Sequence, residues 1–422
     1  MSEASLLVIP GLLVLAGLSL LRLANGEPVD LQALLPGLLF VALIFFLHLT
    51  LELTGFKGDQ ILFPLSAALS GLGLVMVHRL SSPDTALKQT IWLAVGVLCV
   101  AMTLLVVNDT GRLRRYKYTY ALVGFLLVAA TFILGKDVNG SGARLWFSFG
   151  LFHFQPSEIL KVLLVIFFAA YLDEYREILS LGHYKLGPLV LPPIPYLMPL
   201  AVMWLLALGL LTIQRDLGAA LLFFGVFLSM LYIGSERLTY VLIGLPAFAV
   251  AAVASYHFVS TVQHRVDTWL DPWSQAAGSS YQIVQGLIAL GSGGLLGSGL
   301  GFGQPTWIPA VHTDFVLAAI GEEMGLLGAT AVLALYMLLC YRGYRIAIIA
   351  RDSFDRMLAA GLTTVVAVQT IVIVAGTLKL IPLTGITLPF ISYGGSSLVT
   401  NFIIVGLLMR ISHKSHSRRG QF

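Results

Sequence analysis

Leu217-Gly-Ala-Ala-Leu-Leu-Phe-Phe-Gly-Val-Phe-Leu-Ser-Met-Leu-Tyr232 contains no charged residue. Its length approaches the roughly 17–25 apolar residues that cross a bilayer as a helix. Comparable runs recur near Leu6–Leu23, Leu34–Leu51, Ile61–Val77, Ile91–Val107, Tyr120–Leu134 and Ile159–Leu172. They continue near Leu197–Leu211, Tyr240–Tyr256, Phe315–Leu339, Leu358–Val374 and Tyr393–Met409. Of 422 residues, 58% are hydrophobic and 11% charged, against about 25% charged in a soluble domain. The mean hydropathy is +0.90. The expected fold class is therefore all-α: a polytopic integral membrane protein of about 12 transmembrane helices.

Orientation follows from where Lys and Arg fall between these runs. With the N-terminus cytoplasmic, cytoplasmic loops and tail carry 16 basic residues and the opposite side 8, with Lys161 inside a span. That excess satisfies the positive-inside rule and predicts that both termini are cytoplasmic. The first apolar run lacks a basic leader and a small-residue cleavage site, so it is expected to be retained. Cys99 and Cys340 sit in apolar runs and read as small hydrophobes, with no disulfide or metal spacing.

The same map places His264–Glu323 outside, together with Lys136–Glu158, Gln214–Asp216 and Lys379–Gly385. Polar regions far apart in sequence thus share one face, which points to a site there. The segment His264–Glu323 ends in Trp307-Ile-Pro-Ala-Val-His312-Thr313-Asp314-Phe315, where the chain re-enters the bilayer. Asp314 suits a helix N-cap and also a carboxylate desolvated enough to act as a general base. Glu322 and Glu323 follow within the helix, and an internal ion pair is the favoured role for Glu323. The glycine run Gly291–Gly303 lacks the spacing, preceding strand and lysine of a nucleotide loop. Tyr281–Gly303 reads as a partly re-entrant, flexible segment whose glycine run is a mobile cover or a cavity wall.

Other candidates come from elsewhere in the chain. Glu158 and Lys161 form an i, i+3 pair behind Gln155-Pro-Ser, either a structural ion pair or a phosphate contact. Trp146 is a membrane anchor or substrate contact, with Arg144 beside it as a cation. Gln214-Arg215-Asp216 is a polar hairpin in which Asp216 can cap the next helix. Arg265 and Gln282 are substrate contacts or loop anchors. Pro382–Ser397 reads as a broken helix lining a cavity, with Ser392 facing the site. Trp146, Lys161, Asp216 and Ser392 are all expected to line one cavity with Asp314.

Read in order, these elements resemble a known family. The carriers are Gly142-Ala143 with Trp146, Gln155-Pro-Ser-Glu158 with Lys161, and Gln214-x-Asp216-Leu-Gly218. Tyr281-Gln282, Gly291-Ser-Gly-Gly294, His312-Thr-Asp-Phe315, Gly321-Glu-Glu323 and Ile391-Ser-Tyr-Gly-Gly-Ser-Ser397 complete the set. The chain resembles the SEDS family of peptidoglycan polymerases, which includes RodA and FtsW, from about Asp59 to Met409. Departures include Arg215 and Ala219 where proline and threonine are common, and Ala310 where glutamate is frequent. Asp59-Gln-Ile-Leu-Phe-Pro and Gly71-Leu-Gly-Leu with His78-Arg79-Leu80 favour the RodA-like branch over the FtsW-like one.

The resemblance implies a ten-helix core over residues 57–422, with an exterior loop at 257–314 and an added N-terminal pair of helices in residues 1–56. It also implies a glycosyltransferase that polymerises lipid II at the outer face of the bacterial cytoplasmic membrane. The implied partner is a class B penicillin-binding protein, a transpeptidase; no nucleic acid is involved. Asp314 matches the family's essential aspartate and Trp146 an important tryptophan. Arg144, Glu158, Lys161, Gln214, Arg215, Asp216, Arg265, Gln282, His312, Thr313 and Ser392 are the expected substrate-binding residues. A divalent cation, Mg2+ or Mn2+, can share the charge stabilisation at the leaving pyrophosphate, although no ligand cluster is specific enough to assign one. The competing reading is a lipid II flippase or transporter, which intramembrane charges and broken helices also suit.

Overall fold

A computed structural model describes residues 3–137, 144–150, 152–180, 184–186, 189–191 and 194–417. The all-α expectation holds. The helices are α1 (Glu3–Ala24), α2 (Leu31–Leu53), α3 (Leu62–Leu80), α4 (Pro83–Val106), α5 (Gly111–Arg115) and α6 (Lys117–Leu134). A hairpin of β1 (Phe147–Phe149) and β2 (Phe152–Phe154) leads into α7 (Pro156–Ser180). A second hairpin, β3 (Tyr184–Leu186) and β4 (Leu189–Leu191), precedes α8 (Ile194–Ile213), α9 (Leu217–Ser235) and α10 (Leu238–Phe258). Then come α11 (Ser260–Leu270), α12 (Tyr281–Ser292), α13 (Val316–Ile349), α14 (Ser353–Thr377) and α15 (Gly395–Ser417).

Among the described residues, 11 helices are long and apolar enough to cross a membrane. The remaining run expected to span, α7, carries Glu158, Lys161, Asp173 and Glu174 along its length. Its sequence begins with Pro156, which fits a first helical position because no N–H partner is needed there. Ser82 caps α4, accepting from the Thr85 N–H at 3.4 Å, with Pro83 next in line. Asp30 does the same for α2, at 2.8 Å from Ala33 N.

The chain forms two compact units. The first comprises Met1–Asn108, Asp267–Arg342 and Gln369–Phe422. Its centre is α3, buried along nearly its whole length and built with Ser66, Ala67, Ser70, Gly71 and Gly73. Small residues let neighbouring backbones close in where lipid supplies no hydrophobic drive. α1 packs on α3 through Gly17, whose added Cβ would sit 2.9 Å from Val75 Cγ2. α15 lies along α4, with Phe402 filling the space over Gly96. At one end of this unit, Asp59 pairs with Arg342 and the Ser412 hydroxyl accepts from the Asp59 N–H at 2.8 Å. At the other, the Trp269 indole donates to the Lys379 carbonyl at 3.0 Å. Both ties join positions that the alternating topology assigns to the same side.

The second unit comprises Asp109–Val266 and Gly343–Val368. Here α7 is the central helix, packed by α6, α8 and α9. Lys117 pairs with Glu174, Arg114 with Asp173 at 3.1 Å, and Arg176 with Glu236. All six residues belong to the side predicted to be cytoplasmic.

Candidate active site

In the first unit, Asp314 ends a turn immediately before α13, half-buried, with its N–H on the Ala310 carbonyl at 3.2 Å. The cap position belongs to Phe315, whose carbonyl accepts from the Ala318 and Ala319 N–H groups at 2.9 and 3.1 Å. Asp314 therefore stands one position before the cap. The Phe315 ring fills the space over Gly286 of α12, where an added Cβ would lie 2.4 Å from the ring.

The turn is clamped from two sides. From α12, the Gln282 amide donates to the Pro309 carbonyl at 2.8 Å. Ala310 then takes a left-handed φ of 49°, and the Thr313 hydroxyl donates back to its carbonyl at 2.9 Å. From the segment before α15, the Tyr393 N–H donates to the His312 carbonyl at 2.8 Å. The Ser392 hydroxyl donates to the Thr313 carbonyl at 2.5 Å and accepts from the Leu388 N–H at 3.0 Å. Burial lowers the His312 imidazole, favouring its neutral form, and raises the Tyr393 phenol. Gln282, a substrate contact or loop anchor, and Ser392, a candidate substrate contact, each hold the turn through a side-chain hydrogen bond.

The 382–394 stretch is non-helical, and its backbone finds partners inside the unit. Gln369 donates to the Thr387 carbonyl at 2.8 Å, and the Tyr336 hydroxyl to that of Pro389. Gly73 of α3 admits the backbone: a Cβ there would lie 2.7 Å from Ile391 Cα and from the Phe390 carbonyl oxygen. Sequence reading noticed Gly71-Leu-Gly73-Leu only as a motif; the signal was a glycine with no turn to make.

The glycine run is fastened down, contrary to the flexible cover expected from composition. α13 breaks at Gly325 (φ 66°). The exposed helix carbonyls are taken up by the run: Ser298 N–H donates to Glu322 O and Gly299 N–H to Glu323 O, both at 2.9 Å. In return, the Leu326 and Leu327 N–H groups donate to the Gly294 and Leu295 carbonyls at 2.9 and 3.1 Å. Added Cβ atoms at Gly293 and Gly297 would strike Gly321 O at 1.9 Å and Glu323 O at 2.3 Å. Glu323, 1% exposed, accepts from Arg79 Nε at 2.9 Å and from the Gly301 N–H at 3.1 Å. Arg79 also donates to the Gly303 carbonyl at 2.8 Å. The expected internal ion pair of Glu323 is present, and its partner is Arg79, which the sequence marked only as part of the RodA-like pattern.

In the second unit, Asp216 gathers a separate polar cluster. It caps α9 as expected, accepting from the Ala219 N–H at 3.1 Å. Gln155 donates to its other oxygen at 3.0 Å and Ser157 at 3.4 Å. Burial raises the Asp216 carboxyl, opposed by the Ala219 N–H, by the Arg265 charge and by Ser157, while Glu158 adds to the rise. Lys161, 3% exposed, donates to Glu158 at 2.6 Å. Arg215 is exposed at a left-handed φ of 62°, and Gln214 is buried, donating to Thr131 Oγ1 at 2.6 Å and the Val128 carbonyl at 3.0 Å. Its contacts are structural ones. Trp146 sits at the foot of the β1–β2 hairpin, its carbonyl accepting from the Lys136 N–H at 2.8 Å, and Arg144 is exposed. Gly142 and Ala143 lie outside the described residues.

The first unit thus assembles Gln282, His312, Thr313, Asp314 and Ser392. The second holds Arg144, Trp146, Glu158, Lys161, Gln214, Arg215, Asp216 and Arg265. Among the described residues no three His, Cys, Asp or Glu side chains are grouped to hold a metal ion. What the first unit offers is a carboxylate on a clamped turn, two residues after an imidazole whose burial favours its neutral form; the second holds Arg144, Lys161, Arg215 and Arg265 as well as the Asp216 carboxylate.

Residues 60–417 match the family model for cell cycle proteins named after FtsW, RodA and SpoVE. The chain is 42% identical over 400 residues to the peptidoglycan glycosyltransferase RodA of Mycobacterium tuberculosis, covering 92% of this chain and 85% of that one. It is 34% identical over 371 residues to a probable peptidoglycan glycosyltransferase FtsW of Geobacter metallireducens, covering 84% and 95%. Among solved structures, a chain of a peptidoglycan synthase complex that coordinates polymerization and crosslinking aligns with a TM-score of 0.70 at 27% identity, covering 85% and 99%. The rod shape determining protein RodA of Thermus thermophilus aligns with a TM-score of 0.62 at 26% identity, covering 85% and 97%.

Proposed function

The chain belongs to the FtsW/RodA/SpoVE family of cell cycle proteins and is a multi-pass membrane peptidoglycan glycosyltransferase, and on that premise we propose that Asp314 is its general base and lipid II its substrate. The observation that carries the assignment is the two-sided clamp. Gln282 on one side, Tyr393 and Ser392 on the other, hold the backbone of Pro309, His312 and Thr313 that leads into the aspartate. A general base works only within hydrogen-bond reach of its proton, and orientation of this kind supplies much of the rate.

In the proposed step, the GlcNAc 4-hydroxyl of lipid II gives its proton to the Asp314 carboxylate. Its oxygen forms a bond to the anomeric carbon of the lipid-linked MurNAc at the end of the growing chain. The bond from that carbon to pyrophosphate breaks, and undecaprenyl pyrophosphate leaves with the electron pair. A single displacement inverts the anomeric centre, from an α-linked pyrophosphate to a β-glycosidic bond. Arg144, Lys161, Arg215 and Arg265 are the cations proposed to meet the departing charge. Lys161 already balances Glu158 at 2.6 Å, which leaves Arg144 and Arg215, both exposed, as the freer contributors.

The site is proposed to face the exterior of the cytoplasmic membrane, both termini the cytoplasm, and the partner to be a class B penicillin-binding protein. An elongation role is favoured by the 42% identity to RodA against 34% to FtsW. Purified protein with its transpeptidase, incubated with lipid II in detergent, tests the assignment. Wild type gives glycan polymer and Asp314→Ala gives none. Polymer from Asp314→Ala removes Asp314 from the role of base. Lipid II translocation in vesicles without polymer from wild type selects the flippase reading.

A further inference from the structure

At the predicted cytoplasmic end of the first unit, the ends of α2, α4 and α15 leave a cavity of about 160 Å³. Its deeper wall is apolar, formed by Leu47 and Leu51 of α2 and by Ala101, Leu104 and Leu105 of α4. The lining also includes polar side chains, His413 of α15 and Asn108, and one cation, Arg410 of α15. Phe56 stacks on His413 with ring centroids 5.3 Å apart, and the Lys57 N–H donates to His413 Nδ1 at 2.9 Å. One terminal nitrogen of Arg410 donates to the Asn108 carbonyl. None of the ion pairs among the described residues includes Arg410. A guanidinium has five N–H donors in a planar fork, so Arg410 keeps donors beyond its contact with Asn108.

We propose that this cavity binds one anionic phospholipid, with an acyl chain against Leu47, Leu51, Leu104 and Leu105 and its phosphate on Arg410. Three features carry the occupant. Leu47, Leu51, Leu104 and Leu105 come from spanning helices, and Arg410 stands near the C-terminal end of another, so one cavity offers both an apolar wall and a cation. Lys57 is tied to the cavity lining by its N–H bond to His413, so a second basic residue stands near Arg410. Basic pockets between transmembrane helices on the cytoplasmic side suit anionic headgroups, because that surface carries the anionic lipids. The residues lining the pocket include neither Asp314 nor Asp216, and its test does not depend on the proposed catalytic roles.

The full chain is purified in detergent, and retained lipid is counted by native mass spectrometry after exposure to palmitoyl-oleoyl phosphatidylglycerol. Competitors are palmitoyl-oleoyl phosphatidylcholine and glycerol phosphate, the headgroup chemistry without chains. Wild type should retain one phosphatidylglycerol that neither competitor displaces. Arg410→Gln and Leu104→Trp, one removing the cation and one filling the apolar wall, should each lower that retention roughly tenfold, the scale of one charged hydrogen bond. Retention at the wild-type level in either variant overturns the proposal. So does displacement by phosphatidylcholine, which makes the cavity merely apolar, or by glycerol phosphate, which makes it a free-phosphate site. Since the competition arms use wild type alone, they decide the matter even if a variant fails to fold.

Discussion

Ser392 donates its hydroxyl to the carbonyl of Thr313, the residue just before Asp314, across 79 positions of sequence. The same oxygen accepts from the Leu388 N–H. Ser392→Ala removes both bonds and frees the turn that presents the carboxylate. A displacement of about 1 Å at a reacting group can cost about 100-fold in rate. The expected result is a fall in kcat for lipid II polymerisation of roughly 10- to 100-fold with little change in KM, partly restored by Ser392→Thr. A fall confined to KM would instead assign Ser392 to substrate binding.

The glycine run makes a sharp contrast between neighbours. At Gly291 an added Cβ meets nothing within 4 Å, whereas at Gly293 it meets a carbonyl oxygen at 1.9 Å. Gly291→Ala, near the end of α12, should be neutral or gain up to about 1 kcal/mol from helix propensity. Gly293→Ala should lower the melting temperature and the yield of folded protein, at a cost of about 1–3 kcal/mol for overpacking. Equal tolerance at both positions in a thermal-shift series would restore the flexible-cover reading.

Arg79 and Glu323 form an ion pair in which the carboxylate is fully enclosed. Removing one member leaves a buried charge unpaired, at about 3–5 kcal/mol. Removing both can be nearly neutral. Arg79→Met and Glu323→Met should therefore each destabilise the protein more than the double substitution does, in denaturant or heat. Additive losses would show that the two residues act separately.

The Asp216 carboxyl is held above its ordinary value near 3.8 chiefly by burial. A carboxyl raised in the folded state binds a proton at a pH where the unfolded chain does not. Its contribution to stability is complete below 3.8 and is lost as pH rises through the raised folded value. Compared with Asp216→Asn, which keeps a capping side chain without a titrating proton, wild type should gain melting temperature as pH is lowered from neutral toward that range. Parallel curves for the two proteins would contradict the shift.

The spans were readable because the bilayer imposes one rule on every crossing: a long apolar helix with its backbone satisfied internally. Asp314, Asp216 and Lys161 were visible for the complementary reason, as polar groups where such groups are costly. The hairpins were not legible, since Phe147-Ser-Phe and Phe152-His-Phe are too short for alternation to register. Nor was the break at Gly325, because a helical pattern tolerates glycine and only the 293–299 turn docked against it reveals the positive φ. The supporting roles of Arg79, Gln155 and Gly73 are tertiary facts, each depending on a partner more than 60 residues away.

The family model begins at residue 60, which makes α1 and α2 look detachable. Their packing says otherwise. Gly71 of α3 would place a Cβ 2.7 Å from Val14 and 3.2 Å from Phe40, and Gly37 of α2 one 3.0 Å from Leu15. Helix pairs this close leave a furrow when one member is taken away, and lipid tails fill furrows poorly. The pair is therefore a constituent of the fold and no removable module, and a shortened chain starting at the family boundary would carry an unfilled seam along its central helix.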